Sequence, residues 1–294
     1  MSWRVVVIQK RSKLDSKMGY LVIRNDDIHR VFLDEIAVLI IENPAVSITG
    51  CLLNDLVEKK IKVIFCDDRH NPISQLVPSH GSFDDSRKIR TQIAWDETTK
   101  GYVWTSIIAE KIRQQAILLS DNGKERESDM LYEYISQLRY YDETNREGHS
   151  AKVYFNALFG MSFKRTESSP INAMLNYGYS ILLSAFNREV ESSGYLTQLG
   201  VFHDNVLNHF NLSSDLMEPF RPLSDREVVK AIPETFGTEQ HRIMQNILNK
   251  TVIISGSNQT VLNAIRIYCR SVFHALNEND AGLIEFFEIT DNEL

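Results

Sequence analysis

The sequence predicts an α+β protein in which a β-sandwich-like N-terminal domain, residues 1–84, precedes a larger all-α domain, residues 85–294. Three observations predict this. Up to about residue 80 the chain is a series of short runs rich in Val and Ile, broken by Asn, Asp and Pro, which is the signature of strands and turns. From about Ser86 the apolar residues recur every three or four positions, the period of an amphipathic helix. A hydrophobic content of 43% with only 7 Pro and 13 Gly in 294 residues describes an ordered globular chain of about two domains.

The strand candidates, in order, are WRVVVIQK, GYLVIRN, HRVFL, AVLIIENP, VSIT, IKVIFCDD and ISQLVP. Gly50 to Lys60 reads instead as a short helix, because Leu52, Leu53, Leu56 and Val57 fall at helical spacing. The break between the two parts falls in SHGSFDDS, residues 79–86. The stretch after it, RKIRTQIAWDETTKGYVWTSIIAEKIRQQAILLSD, reads as one long amphipathic helix, and ESDMLYEYISQLRYY follows the turn DNGKER. DETNREGHSAKVYFNALFG then opens a third helix, and Pro170 is a good first residue for the next. Ser213-Ser214 is a good start for a helix through SSDLMEPFRPLSDREVVKAI. EQHRIMQNILN and NQTVLNAIRIYCRSVFHALN are the last helical stretches, and KTVIISGSNQTV between them predicts a hairpin or strand. The aromatic-rich LNYGYSILLSAF reads as core.

No apolar run approaches the roughly 20 residues that span a membrane, and MSWRVVVIQKRSKLD lacks a signal-peptide layout. Cys51, Cys66 and Cys269 are widely spaced and form no CxxC pair, so neither a disulfide framework nor a zinc site is indicated, and a cytoplasmic location is expected. A net charge of −7 counts against a nucleic-acid binder, although local basic patches can hold phosphates on an acidic protein. GxxxxGK[ST], GxGxxG, GxSxG and HExxH are all missing.

The remaining chemistry lies in the helical half. Glu147 stands in NREGHSAK beside Gly148, a glycine that costs roughly 1 kcal/mol relative to Ala within a helix. Asp215 and Glu218 in SSDLMEPFRP are three apart, which puts both carboxylates on one face of a helix. His203 precedes them in TQLGVFHDN. Carboxylates with one imidazole form a hard O/N set that suits Mg²⁺ or Mn²⁺ better than zinc. An ion held by few protein groups keeps waters that phosphate oxygens displace, the layout of phosphoryl transfer. Arg146, Lys152, Lys164, Arg165 and Arg221 are the cations placed to hold a DNA backbone. Each residue also admits a plain structural role: Glu147 as a first-turn acid favoured by the helix dipole, His203 as a core-edge histidine, Asp215 and Glu218 as helix-start acids, and Lys164-Arg165 as a solvated loop.

Taken together and in this order, NREGHSAKVYFNALFG, PINAMLNYGYSILLS, GVFHDN and SSDLMEPFRP resemble the CRISPR-associated adaptation integrase, the universal first-numbered Cas protein, and most of all its subtype II-A form. The resemblance extends over nearly the whole chain, including IKVIFCDDRHNPIS. It implies an N-terminal β-sandwich and a C-terminal helical catalytic domain, with Glu147, His203 and Glu218 as both catalytic residues and ligands of Mg²⁺ or Mn²⁺. The third ligand is Asp in many members and Glu here; Asp215 matches an accessory acid. The resemblance further implies a homodimer that joins a small ferredoxin-like partner and double-stranded DNA, the prespacer and the repeat. The 3′-OH of the held duplex then attacks a phosphodiester at the repeat junction. On this reading Gly148 leaves room beside Glu147 for an ion and an incoming phosphate. Two other readings stay open: a metal-dependent nuclease of branched or linear DNA without integration, and a non-catalytic scaffold of the same fold.

Overall fold

The computed structural model describes residues 4–68, 72–76, 79 and 85–289. In chain order its first strands are β1 (Arg4–Ile8), β2 (Lys13–Lys17), β3 (Tyr20–Arg24), β4 (Ile28–Phe32), β5 (Ile36–Ile41), β6 (Ser47–Ile48), β7 (Lys62–Cys66) and β8 (Pro72–Leu76), with helix α1 (Gly50–Glu58) between β6 and β7. One sheet has the order β1-β5-β7-β8, the first three strands parallel and β8 antiparallel. The other has the order β4-β3-β2-β6, antiparallel except for the β2–β6 pair. Strand β2, KLDSK, is the one the Val- and Ile-rich runs do not announce. Its Lys, Asp and Ser are poor strand formers. Leu14 alone is fully buried in it, and pairing on both sides with β3 and β6 makes it a strand.

The burial of β5 explains the architecture. Leu39 and Ile41 pack between the sheets with Leu14, Leu21 and, from α1, Leu52 and Leu56. Val38 and Ile40 on the opposite face join Ile64 in the core of the helical part. Every residue of β5 is buried, which is why AVLII runs without alternation: a parallel strand covered on both faces has no solvent side. The sandwich therefore carries a third, helical layer. Polar contacts tie that layer down, since buried Glu42 accepts from Gln245 (2.8 Å) and from the Tyr177 hydroxyl (3.4 Å).

The helices are α2 (Asp85–Ile93), α3 (Glu97–Asp121), α4 (Glu125–Ser136), α5 (Arg146–Phe159), α6 (Pro170–Ser192), α7 (Asn211–Leu216), α8 (Arg221–Ala231), α9 (Thr238–Gln245) and α10 (Val261–Glu278). The expected hairpin forms between α9 and α10 as β9 (Thr251–Ile254) and β10 (Ser257–Thr260). A short strand β11 (Glu288–Ile289) pairs with β9, so the helical part contains a three-stranded sheet. Pro170 is the first residue of α6, and the Ser169 hydroxyl accepts from the Asn172 amide.

Two helix expectations are corrected. The long helix after residue 86 is two helices, because the Asp96 carboxylate caps a new N-terminus by accepting from the Thr99 amide (2.8 Å). Ser213-Ser214 does not start a helix. Both residues lie inside α7, which begins at Asn211; a 3₁₀ turn, Glu218–Phe220, then separates α7 from α8. Within the expected linker, residues 79–86, residues 80–84 lie outside the described residues, and the division at 84/85 falls at their edge.

Because Leu39 and Ile40 enter two different cores, Leu39→Ala and Ile40→Ala should each lower stability by about 2–5 kcal/mol in urea unfolding. A loss below about 0.5 kcal/mol at Ile40 would show that the helices do not cover the sheet.

Candidate active site

Helix α5 begins after three turn residues, Tyr141 (φ 62°), Asp142 (φ 52°) and Asn145 (φ 50°), adopt the left-handed region, which Asp and Asn tolerate better than most. The Asp142 carboxylate then accepts from the amides of Arg146 (2.7 Å) and Glu147 (3.0 Å), and Asn145 Oδ1 accepts from the Gly148 amide (3.2 Å). Three of the four orphan amides of the helix start are thus satisfied by side chains, and the backbone of Glu147 is held from below. A Cβ on Gly148 would lie 2.7 Å from Asn145 Oδ1. The space at Gly148 is therefore filled by the capping asparagine, which corrects the expectation that it admits an ion and a phosphate.

The Glu147 carboxylate points at Lys111 on α3, whose Nζ donates to Glu147 Oε1 at 2.6 Å and stands 2.5 Å from Glu218 Oε2. Glu218 opens the 3₁₀ turn after α7, and its Oε1 accepts from Arg221 Nε (2.9 Å). The two carboxylates so converge on a single cation. Burial works against ionised Glu218, but Arg221 and Lys111 outweigh it and hold its carboxyl below the ordinary value. Burial likewise opposes a charged Lys111, and Glu218 with Glu147 outweighs it and raises the ammonium. A buried Lys or Glu without such a partner would be rare and costly.

His203 reaches the same region from a loop. Its Nδ1 is hydrogen-bonded to Asp215 Oδ1, and its side chain is 43% exposed while that of Asp215 is fully buried. Asp215 also accepts from the amides of Val201 (2.7 Å), Phe202 (2.9 Å) and His203 (3.3 Å). The Asp215 hydrogen bond lifts the His203 imidazole above its ordinary value, against some burial. Burial pushes Asp215 itself up, against the pull of His203 and the loop amides. Trp104 stacks on Phe202 (4.3 Å between centroids) and meets the His203 ring edge-on. The loop is pinned from the other side by buried Gln92, which donates to the carbonyls of Leu196 (2.9 Å) and Leu199 (3.0 Å). Asp215 and Glu218 do not point at one spot, as a continuous helix would require. The helix ends between them, and one acid serves His203 while the other serves Lys111 and Arg221.

The expected phosphate-holding cations differ in situation. Lys152 is exposed on α5, and Lys164 pairs with Glu167 (3.0 Å) in solvent. Arg146 lies over the Tyr134 ring (5.5 Å). Arg165 is no solvated loop residue: it is bonded to Asn172 and Asn176, and it shares the Tyr179 ring with Arg221, which sits 4.7 Å from the ring centre. Tyr179 donates to Asp225 Oδ1 (2.6 Å) and Tyr154 to Asp225 Oδ2 (2.9 Å). Burial pushes the Asp225 carboxyl up to about 6, against these hydrogen bonds.

Sequence reading missed Lys111, Tyr179, Asp225 and Gln92. For Lys111 a signal exists: it falls at helical spacing with Trp104, Ile107, Ile108, Leu118 and Leu119, all buried, and a lysine on an apolar stripe needs a partner. Among the described residues, no three of His, Cys, Asp and Glu stand close enough to hold a metal ion in this conformation. The donors nevertheless fit a hard divalent ion in two respects. Two carboxylates already close on a cation, the Lys111 ammonium standing in that place. The histidine has one nitrogen anchored by a buried acid, the support that metal-ligating histidines generally have.

This fold and site define a class: a two-part α+β protein with a hard-donor, cation-holding site set in its helical half. The chain belongs to the family of the CRISPR associated protein Cas1, whose model matches residues 5–264. It is 33% identical to the CRISPR-associated endonuclease Cas1 of Neisseria meningitidis serogroup C (strain 8013), over 98% of this chain and 97% of that protein. Its fold is similar to that of a casposase bound to integration product, with a TM-score of 0.77 at 19% identity over 95% of this chain and 92% of the other. It is also similar to a chain of a Cas6-RT-Cas1–Cas2 complex, with a TM-score of 0.74 at 18% identity; that match takes in 96% of this chain but only 36% of the longer one. Among the described residues no helix is long and apolar enough to cross a membrane, and Cys51, Cys66 and Cys269 are free.

Two measurements test the site's construction. A Cβ on Gly200 would lie 2.2 Å from the His203 carbonyl oxygen and 2.7 Å from Asp215 Oδ2. Gly200→Ala should therefore cost about 1–3 kcal/mol and shift the His203 ring resonances; an unmoved resonance would show that Asp215 does not set the ring. Asp225 has a folded value near 6 against an ordinary 3.8, so between those pH values the native state binds more protons than the unfolded chain. Stability should fall as pH rises through this window, by up to about 3 kcal/mol, and Asp225→Asn should lack that slope in pH-dependent urea unfolding.

Proposed function

We propose that this chain is a metal-dependent DNA integrase of CRISPR adaptation, joining the 3′-OH of a short duplex to a phosphodiester in the repeat array. The convergence of Glu147 and Glu218 on one cation position, in a chain of the Cas1 family, carries the reading. Mg²⁺ or Mn²⁺ would be held by Glu147, Glu218 and the free Nε2 of His203. When bound, such an ion offsets charge on the attacked phosphate and acidifies the attacking hydroxyl. Asp215 is a positioning residue: it fixes the His203 ring through Nδ1 and the loop through its amides. Arg221, kept on the Tyr179 ring, and Arg146, over Tyr134, present planar guanidinium groups to DNA phosphate. Lys152 and Lys164 extend that contact into solvent, and Arg165 keeps Tyr179 in place beneath Arg221.

The relatives support the reading at its coarser level. One is described as an endonuclease, and the casposase structure contains an integration product. The Cas1–Cas2 assembly supports a protein partner; that this partner is small and ferredoxin-like, and that this chain is a homodimer, come from the sequence resemblance. The endonuclease description also favours a second reading, hydrolysis of branched or linear DNA without joining.

The test is a labelled duplex with a repeat-bearing plasmid, Mn²⁺ or Mg²⁺, with and without the partner. Integration gives label joined to plasmid, whereas hydrolysis alone gives shortened duplex. Glu147→Ala, His203→Ala and Glu218→Gln should each abolish joining in a folded protein, and Asp215→Asn should lower it about 10–100-fold. Near-normal joining by Glu218→Gln together with a dead Asp215→Asn would reverse the ligand assignment.

A further inference from the structure

We propose that the Lys111 ammonium is a built-in occupant of the cation position between Glu147 and Glu218, so that a divalent ion binds strongly there only together with DNA phosphate. The proposal rests on the metal-dependent reading above and adds how the site controls its ion.

The geometry places Lys111 Nζ within 2.6 Å of one carboxylate and 2.5 Å of the other. Its side chain is only 9% exposed, and it leaves α3 among Trp104, Ile107 and Ile108, all fully buried. The stem is therefore gripped by packing and the head is directed by two ion pairs. Glu218 is satisfied on its other oxygen by Arg221, which the Tyr179 ring holds in place.

Charge accounting follows directly. Two carboxylates, Glu147 and Glu218, face the Lys111 ammonium and the Arg221 guanidinium, while the Asp215 carboxylate is taken up by His203, so the carboxylates at the cation position are matched before any ion arrives. A divalent ion entering alone would add positive charge beside carboxylates already matched by cations, and unpaired buried charge is strongly disfavoured. Phosphate oxygens of a DNA strand are the groups that restore the balance. With phosphate present, Lys111 can turn from the carboxylates towards the strand, and the ion takes its place between them. The coupling is reciprocal: DNA tightens the ion as much as the ion tightens DNA.

The experiment is Mn²⁺ binding to the full chain, read by electron paramagnetic resonance of the free ion at one pH and ionic strength. It is run with and without a short duplex whose 3′ ends are dideoxy-terminated, so that no joining occurs. Wild type should bind Mn²⁺ weakly alone and about 10–100-fold more tightly with the duplex. Lys111→Met should tighten Mn²⁺ binding in the absence of DNA by at least about tenfold, and Lys111→Arg, which keeps the charge, should not. Circular dichroism checks that both variants fold. Should Lys111→Met fail to fold, Lys111→Gln takes its place. Mn²⁺ taken up by the duplex alone is measured in parallel and subtracted. A folded, uncharged variant that binds Mn²⁺ without DNA no more tightly than wild type overturns the proposal. Mn²⁺ binding to wild type that is equally tight with and without the duplex overturns the proposal and leaves the integrase reading standing. No Mn²⁺ binding by any form in either condition overturns both.

Discussion

One ammonium held between two carboxylates in the interior of the helical half constrains the elements around it. Burying a lysine without partners is prohibitive, so α3 must run past both the start of α5, which supplies Glu147, and the 3₁₀ turn that supplies Glu218. The turn exists because the chain stops being α-helical at Met217 and proline follows Glu218. Had α7 continued without a break, Asp215 and Glu218 would lie on one face, and the acid for His203 and the acid for Lys111 would compete. The break lets two acids three residues apart serve two different bases.

Around this centre the protein spends backbone conformations and buried polar groups on fixing direction. Left-handed residues before α5 place Asp142 and Asn145 under its first turn. Gln92 and Asp215 grip the loop that carries His203 from opposite ends. Gly200 is required there because the loop folds back until its own carbonyl and the Asp215 carboxylate fill the place of a Cβ. Such fully satisfied networks specify one arrangement, since any member left unpaired would cost more than its bond contributes. His203 stays partly exposed at the rim.

The sandwich is joined to this machinery through β5. One face of that strand belongs to the core between the sheets, the other to the helical core. The likeness of fold at 18% and 19% identity to solved structures fits this construction. Layered cores accept many apolar substitutions if volume and pattern are kept.

By itself the sequence determined the succession of a strand-rich part and a helical part, because Val- and Ile-rich runs broken by turn residues, and then the 3.6-residue period, are written in local order. It also determined where α1 and α6 begin, since Thr49 and Ser169 cap their own chains, and it marked Glu147, His203, Asp215 and Glu218 as the acids and base of one region. It did not reveal β2, whose polar residues become a strand only when neighbours pair with them, nor the break at Asp96, where one cap outweighs a continuous apolar stripe. Only the tertiary structure decided that Asp215 answers His203 while Glu218 answers Lys111, and that Arg221 rests on Tyr179. Those are contacts between residues far apart in the chain. Their energies come from charges and rings brought together in a water-poor interior, a circumstance that no local pattern encodes.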